Sequence, residues 1–199
     1  MNDLIAGCHN IIFDIGNVLL RFDPASVLQQ VFSTEQQSIL TPDIVCGSPH
    51  WNKLDEGTLT EEEVAGIIAE KVHRPDWYPD ILRMIQHYQD YMPLLPTVNL
   101  LPVLKQQGKK LFVLSNYGPA PFERARQKHL EIFDLFDGLV ISGIEHINKP
   151  DPRLYRILLE RYHLDPADSV FIDDRDENIE AARRLGINGI IFYGQDFLA

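Results

Sequence analysis

The sequence predicts an α/β fold: a parallel sheet covered by helices on both sides, with an all-helical insertion after the first strand. Three observations carry this reading. Short apolar runs bounded by turn residues recur along the chain, amphipathic helical patterns lie between the later runs, and residues 22–91 hold helix signals but no convincing strand. Composition agrees, since 199 residues with 45% hydrophobic and 24% charged content suit one large domain or a domain with a modest insertion. Such a chain can bury a sizeable core, which excludes disorder for its bulk.

The apolar runs span residues 11–15, 111–116, 138–142, 170–174 and 189–193. Each is continuous rather than alternating, as expected of strands buried on both faces. Helical patterns follow at residues 121–130, 151–163 and 177–186. In the second, Asp151 can cap the amino end with Pro152 at the first helical position, and Leu154, Ile157, Leu158 and Tyr162 share a face. In the third, Gly186 is the stop signal. Alternating strands and helices imply parallel pairing with helices on both faces.

Within residues 22–91, Thr60 followed by Glu63 forms a capping box for a helix through Val72, and Ile81, Met84, Ile85 and Tyr88 mark another amphipathic stretch. The expected division is a core domain of residues 1–21 and 92–199 and a helical cap of residues 22–91. A block inserted at this point covers the carboxyl edge of the sheet, where open α/β sheets bind ligands. Trp51, Trp77 and the tyrosines of this block read as packing residues rather than a cofactor box.

The 18 Lys and Arg against 29 Asp and Glu give a formal net charge of -11. That charge repels a nucleic-acid backbone or an anionic membrane surface, so neither is an expected partner. Cys8 and Cys46 form no CxxC pair and no zinc quartet with the histidines, and a reducing cytoplasmic setting is expected. LIAGC, ending at Cys8, looks like a lipoprotein cleavage box, but only three residues precede it and one is acidic, so no signal peptide is expected. No apolar run approaches the ~18 residues of a membrane span. Monomer and homodimer remain open.

The residues that can carry chemistry sit at strand ends. Asp14 closes the apolar run of FDIGNVLL and is followed by Gly16 and Asn17, a setting for a nucleophile, a metal ligand or a turn-initiating cap. Asp173 and Asp174 close SVFIDD, with Asn178 on the next helical turn. Adjacent carboxylates at a buried strand end repel unless a cation lies between them, and oxygen ligands without His or Cys favour Mg²⁺. The bland alternative is a pair of solvated helix-capping acids. Ser115 and Asn116 end LFVLSN and can donate to phosphate oxygens, although Ser-Asn after a strand is also an ordinary turn. Lys149, held extended before Pro150, can act as a fixed positive charge on a phosphate, or be a surface lysine. No GxSxG, GxGxxG, P-loop or HExxH pattern occurs.

The order of these pieces resembles the haloacid dehalogenase-like (HAD) hydrolase superfamily, whose four motifs match FDIGNVLL, VLSN, NKPDP and VFIDD in sequence order. WNKLDEGTLTEEEV is similar to a segment of that superfamily's helical cap, and the FDxGNV opening is most like the α-glucose-1-phosphatase branch. The resemblance implies a Rossmann-like, HAD-like core and a Mg²⁺-dependent phosphatase acting on a small phosphorylated metabolite, such as a sugar phosphate. It also implies roles. Asp14 would attack phosphorus to form an aspartyl-phosphate. Asp14, the Gly16 carbonyl and Asp174 would hold the metal with Asp173 beside them, and Ser115, Asn116 and Lys149 would bind the phosphoryl group.

One position departs from the pattern. Many phosphatases of the superfamily carry a second Asp two residues after the nucleophile, and here that residue is Gly16. A general acid is typically worth ~10²–10⁴-fold, so another group must replace it or the enzyme is restricted to good leaving groups. Asp23, Glu56 or another acid of the helical block are the candidates, each also readable as a solvated or helix-end carboxylate. Three other functions stay open at this point. A dehalogenase uses the same nucleophile without metal, a receiver domain has the acid pair first in the chain rather than last, and a non-catalytic phosphate-binding protein would also tolerate glycine.

Overall fold

Every apolar run becomes a strand, and all pair in parallel. The computed structural model describes residues 3–194. α1 (Asp3–Gly7) leads into β1 (Asn10–Phe13). Between β1 and β2 (Lys110–Ser115) lie α2 (Pro24–Val31), α3 (Thr34–Gln37), α4 (Pro49–Asp55), α5 (Glu61–Lys71), α6 (Tyr78–His87) and α7 (Leu100–Gln106). After β2 come α8 (Pro119–Lys128), α9 (Leu130–Phe133), β3 (Gly138–Ile141), α10 (Ser142–Glu145) and α11 (Pro152–Tyr162). β4 (Ser169–Asp173), α12 (Asp176–Arg184) and β5 (Asn188–Ile191) complete the described chain. The strand order is β3-β2-β1-β4-β5. The chain runs outward from β1 to β3 and then returns to the other side of β1, which places the carboxyl end of β1 at the topological switch point.

Both faces of the sheet are apolar, and alternate residues serve opposite faces. Ile11 and Phe13 join Leu111, Val113, Val170 and Ile172 in one cluster, while Ile12 joins Phe112, Leu114 and Phe171 in a second. The second cluster is closed by Leu154, Tyr155 and Leu158 of α11 and Ile179 and Ala182 of α12. Asp151 caps α11 by accepting from the Arg153 amide, as the sequence predicts.

The helical block contributes to the first cluster. Thr60 and Glu63 form the expected reciprocal capping box on α5, and Val64, Ala65 and Ile68 of α5 are buried in one cluster with Ile81, Met84 and Ile85 of α6. That cluster is continuous with Ile11, Phe13 and Val113 of the sheet. α6 ends at His87, so Tyr88 lies in the following 3-10 turn, Tyr88–Tyr91, and is still buried.

Two boundaries differ from expectation. α8 starts at Pro119 rather than residue 121, because a proline in the first helical turn loses no hydrogen bond and either proline can open the helix. β5 stops at Ile191, leaving Tyr193 exposed instead of in a strand. Both cysteines are free thiols, and no helix of the described residues is long and apolar enough to cross a membrane.

Candidate active site

Strand register assembles the site. Phe13 pairs with Val113 and with Ile172, so the next residues, Asp14 and Asp173, lie side by side on neighbouring parallel strands. The Asp14 amide still donates to the Ile172 carbonyl at 2.9 Å, which continues the ladder into the loop. Parallel neighbours in register point their side chains the same way, and both residues stand at the carboxyl edge of the sheet. Asp14, Asp173 and Asp174 each bring a carboxylate oxygen within 4.8 Å of the others. The edge therefore gathers three carboxylates from strands that are far apart in sequence.

Lys149 lies between two of them. Its Nζ is 2.9 Å from Asp14 Oδ1 and 2.7 Å from Asp173 Oδ2, and it donates to the Leu114 carbonyl at 2.9 Å. The side chain is almost fully buried. Burial opposes the ammonium charge, but Asp14 and Asp173 outweigh it and hold the Lys149 pKa above its ordinary value. Asn116 fixes the backbone of Lys149 from both sides: its Oδ1 accepts from the Lys149 amide at 2.7 Å and its Nδ2 donates to the Lys149 carbonyl at 3.0 Å.

Asp173 is saturated by donors. Besides Lys149, both its oxygens accept from Asn178 Nδ2 at 3.0 Å, and Oδ1 accepts from the Arg175 amide at 2.9 Å. Asp174 is held differently. Asn17, in a left-handed turn with φ of 56°, donates to Asp174 Oδ2 at 3.0 Å while its Oδ1 accepts from the Phe22 amide. Burial raises the Asp174 pKa, offset in part by Asn17. Burial likewise drives the Asp14 carboxyl above the usual range, against the pull of Lys149 and of a Ser115 hydrogen bond. Asp14 Oδ1 is buried, with the Lys149 ammonium 2.9 Å away as its ion-pair partner. Three clustered carboxylates, two of them raised, fit a hard divalent cation, which lowers the cost of keeping all three ionised.

The site opens into a cavity of about 270 Å³ lined by Asp14, Gly16, Asn116, Lys149 and Asp174 from the sheet edge. A larger cavity, about 780 Å³, shares Asn17, Phe22 and Asp174 but lacks Asp14 and Lys149, so the smaller one is the cavity that reaches the buried Asp14–Lys149 pair. Its far wall is aromatic: Phe22 stacks on Trp51 with centroids 6.2 Å apart, and Trp51 meets Tyr88 edge-on at 5.2 Å. Trp51 and Tyr88 are buried, as expected of packing residues, yet they also face the cavity. Trp77 is purely a packing residue, with Arg74 over its ring.

Sequence reasoning missed Asn17 as the holder of Asp174, Arg175 as a lining residue, and Asp55. The two acids it singled out do not line the smaller cavity, although Asp23 lines the larger one beside it. Asp23 caps α2 by accepting from the Ser26 amide, and Glu56 accepts from the Thr58 hydroxyl outside the cavity. Asp55, the last residue of α4, lines the cavity instead. No local pattern separates it from Glu56.

A family model described as haloacid dehalogenase-like hydrolase matches residues 9–186. The chain is 27% identical over 180 residues to a sesquiterpene phosphatase from Aspergillus oryzae, covering 90% of this chain and 87% of that protein. It is 25% identical over 192 residues to flavin mononucleotide hydrolase 1 of Arabidopsis thaliana, covering 95% and 74%. A HAD family enzyme from Bacteroides thetaiotaomicron, solved with magnesium and inorganic phosphate, superposes with a TM-score of 0.70 at 21% identity, covering 94% of this chain and 96% of that one.

Proposed function

We propose that this chain, which belongs to the haloacid dehalogenase-like hydrolases, is a Mg²⁺-dependent phosphatase of small phosphorylated metabolites that works through an aspartyl-phosphate on Asp14. The observation that carries the reading is the meeting of three carboxylates around one buried lysine at the switch point of the sheet. Phosphoryl transfer asks mainly for alignment and charge stabilisation, and this arrangement supplies both.

In this reading Asp14, the Gly16 carbonyl and Asp174 hold the metal, with Asp173 beside it. The bound ion supplies charge neutralisation where phosphate oxygens crowd against carboxylates. Ser115 and Lys149 bind the phosphoryl oxygens, and Lys149 also keeps Asp14 ionised and aimed. Asn116 binds phosphate through its second amide hydrogen while its other groups hold Lys149 in place. Asp173, saturated by Lys149, Asn178 and Arg175, orients the lysine. A metal-free dehalogenation is disfavoured, because an anionic substrate would meet three carboxylates and one lysine.

For the finer assignment we read residues 1–21 and 92–199 as the catalytic core, residues 22–91 as a cap, and the substrate as a sugar phosphate of the kind cleaved by the α-glucose-1-phosphatase branch. The FDIGNV opening supports the branch, and the wall of Phe22, Trp51 and Tyr88 supports the substrate, since aromatic faces pack against the C–H face of a sugar while Asn52 and Asp55 offer polar partners. The relatives' flavin and terpenoid substrates also carry large apolar parts, so the aromatic wall makes those the competing substrates. The reading places the protein in the cytoplasm as a monomer or homodimer.

The test is phosphate release from p-nitrophenyl phosphate and a panel of sugar phosphates, with Mg²⁺ and with chelator. Release that stops on chelation and returns with Mg²⁺ is expected; release indifferent to chelator would overturn the metal assignment. Asp174→Asn is expected to raise the Mg²⁺ concentration needed for half-maximal rate by roughly tenfold or more, with partial recovery at high Mg²⁺, because an amide is a poorer ligand than a carboxylate. A variant whose rate is low and unmoved by Mg²⁺ would remove Asp174 from the metal set.

A further inference from the structure

We propose that Asp55, reaching the cavity from the carboxyl end of α4, is the acid that protonates the leaving oxygen and the base that later receives the proton of the attacking water. The inference rests on the phosphatase reading and supplies the group that Gly16 cannot.

Asp55 is placed by the core rather than by its own helix. A helix end leaves unsatisfied carbonyls, and those around Asp55 are taken by side chains of α10 and of the segment just after it. Asn148 Nδ2 donates to the Asn52 carbonyl at 2.7 Å, Ser142 Oγ donates to the Asp55 carbonyl at 2.5 Å, and His146 Nδ1 lies 3.1 Å from the Glu56 carbonyl. Backbones touch as well. Gly57, with φ of 70°, sits so close to Gly143 that a Cβ there would lie 2.4 Å from its carbonyl oxygen, and a Cβ on Gly118 would lie 2.9 Å from the Leu54 carbonyl oxygen. These contacts fix the backbone that carries Asp55 relative to the sheet edge, and Asp55 lines the cavity from there, as a proton donor must.

The other groups of the cavity cannot serve. From the sheet edge Asp14, Lys149 and Arg175 act on Asp55, and from the other walls Cys46, Tyr88 and Tyr117 do. Burial drives the Tyr88 and Tyr117 hydroxyls well up and pushes the Cys46 thiol up to about 12, which makes each a much weaker acid than a carboxyl and a less effective proton donor while the P–O bond is breaking. Lys149 is committed to Asp14 and Asp173. Burial, with Asp14 adding to it and Gly118, Arg175 and Lys149 opposing, pushes the Asp55 carboxyl up to about 7. A group near 7 is suited to both giving and taking a proton at neutral pH.

The two half-reactions balance. Asp14 carboxylate forms a bond to phosphorus as the P–O bond to the leaving group breaks, and the Asp55 carboxylic acid gives its proton to that oxygen, releasing an alcohol. Water then attacks phosphorus of the aspartyl-phosphate, the acyl phosphate P–O bond breaks to restore the Asp14 carboxylate, and Asp55 carboxylate takes the water proton. Inorganic phosphate leaves and Asp55 is again protonated.

The test compares Asp55→Asn with wild type in single-turnover experiments on an alkyl phosphate and on p-nitrophenyl phosphate. First-turnover cleavage of the alkyl ester is expected to fall by roughly 10²-fold or more, with a much smaller loss on the aryl ester, whose leaving group needs little protonation. The aryl ester should then show a burst of nitrophenol followed by slow turnover, since the water step has lost its base. Wild-type kcat/KM on the alkyl ester should decline above about pH 7, and that limb should vanish in the variant. A Cβ at Gly16 meets no atom within 4 Å, so Gly16→Asp is sterically open and is expected to recover alkyl-ester cleavage when added to Asp55→Asn. Equal losses on both esters without a burst, or no loss on the alkyl ester, would overturn the role of Asp55. A wild-type protein that cleaves neither ester in Mg²⁺ would instead overturn the phosphatase reading beneath it.

Discussion

Asp14→Asn is expected to lower turnover by roughly 10³-fold or more while the fold persists. The amide keeps the shape of the carboxyl but cannot displace an alkoxide from phosphorus and ligates Mg²⁺ poorly. The packing argument for an intact fold is local. Lys149 keeps its 2.7 Å contact with Asp173 and its bond to the Leu114 carbonyl, so its charge is not stranded. Burial and Asp173 both raise the Asp14 carboxyl, so neutralising it removes a repulsion. Tm in chelator should therefore stay near the wild-type value, whereas any Mg²⁺-induced rise in Tm should shrink. Trapping with radiolabelled substrate gives the second readout, since wild type should carry acid-stable, base-labile phosphate and Asp14→Asn none. Turnover in this variant comparable to wild type would exclude covalent catalysis through Asp14.

That four of the site residues could be located from the sequence follows from topology. Asp14, Ser115 and Asp173-Asp174 each close an apolar run, and in a parallel sheet every strand's carboxyl end lies on one edge. Chain order then brings them together without any knowledge of side-chain packing. Lys149 is harder, because it belongs to no strand; it reaches Asp14 only since Asn116 grips its backbone. Asp55 was out of reach. Which acid at the end of α4 turns inward depends on how the helix is held by Asn148, Ser142 and His146, residues about 87–96 positions away in sequence. Nothing in WNKLDEGTL encodes that docking, and Glu56 would have served the pattern as well. The aromatic wall is half legible: Trp51 reads as a packing residue because large aromatic side chains usually bury, but its second face toward the cavity does not follow from the sequence.

Lys149→Met is expected to cost both activity and stability, and more of each than a surface lysine would. The side chain is buried against two carboxylates, and removing one partner of a buried ion pair typically costs about 3–5 kcal/mol by leaving uncompensated charge. For a chain of this size that corresponds to a Tm lower by roughly 6 °C or more. The loss should depend on pH in a definite direction. Asp14 already titrates above its ordinary range, and Lys149 is the strongest influence pulling it down, so the variant raises it further. A carboxyl whose folded pKa stands above its unfolded value favours folding at low pH and loses that contribution as pH rises through the folded value. Measured in chelator, the Tm gap between wild type and Lys149→Met should thus widen from about pH 5 to about pH 8. Turnover in saturating Mg²⁺ should fall by roughly 10²–10³-fold, because the phosphoryl oxygens lose a preorganised donor that costs no rearrangement in the transition state. A gap that narrows with rising pH would mean that the neighbouring carboxylates are not held apart by Lys149, and that its charge stabilises some other group.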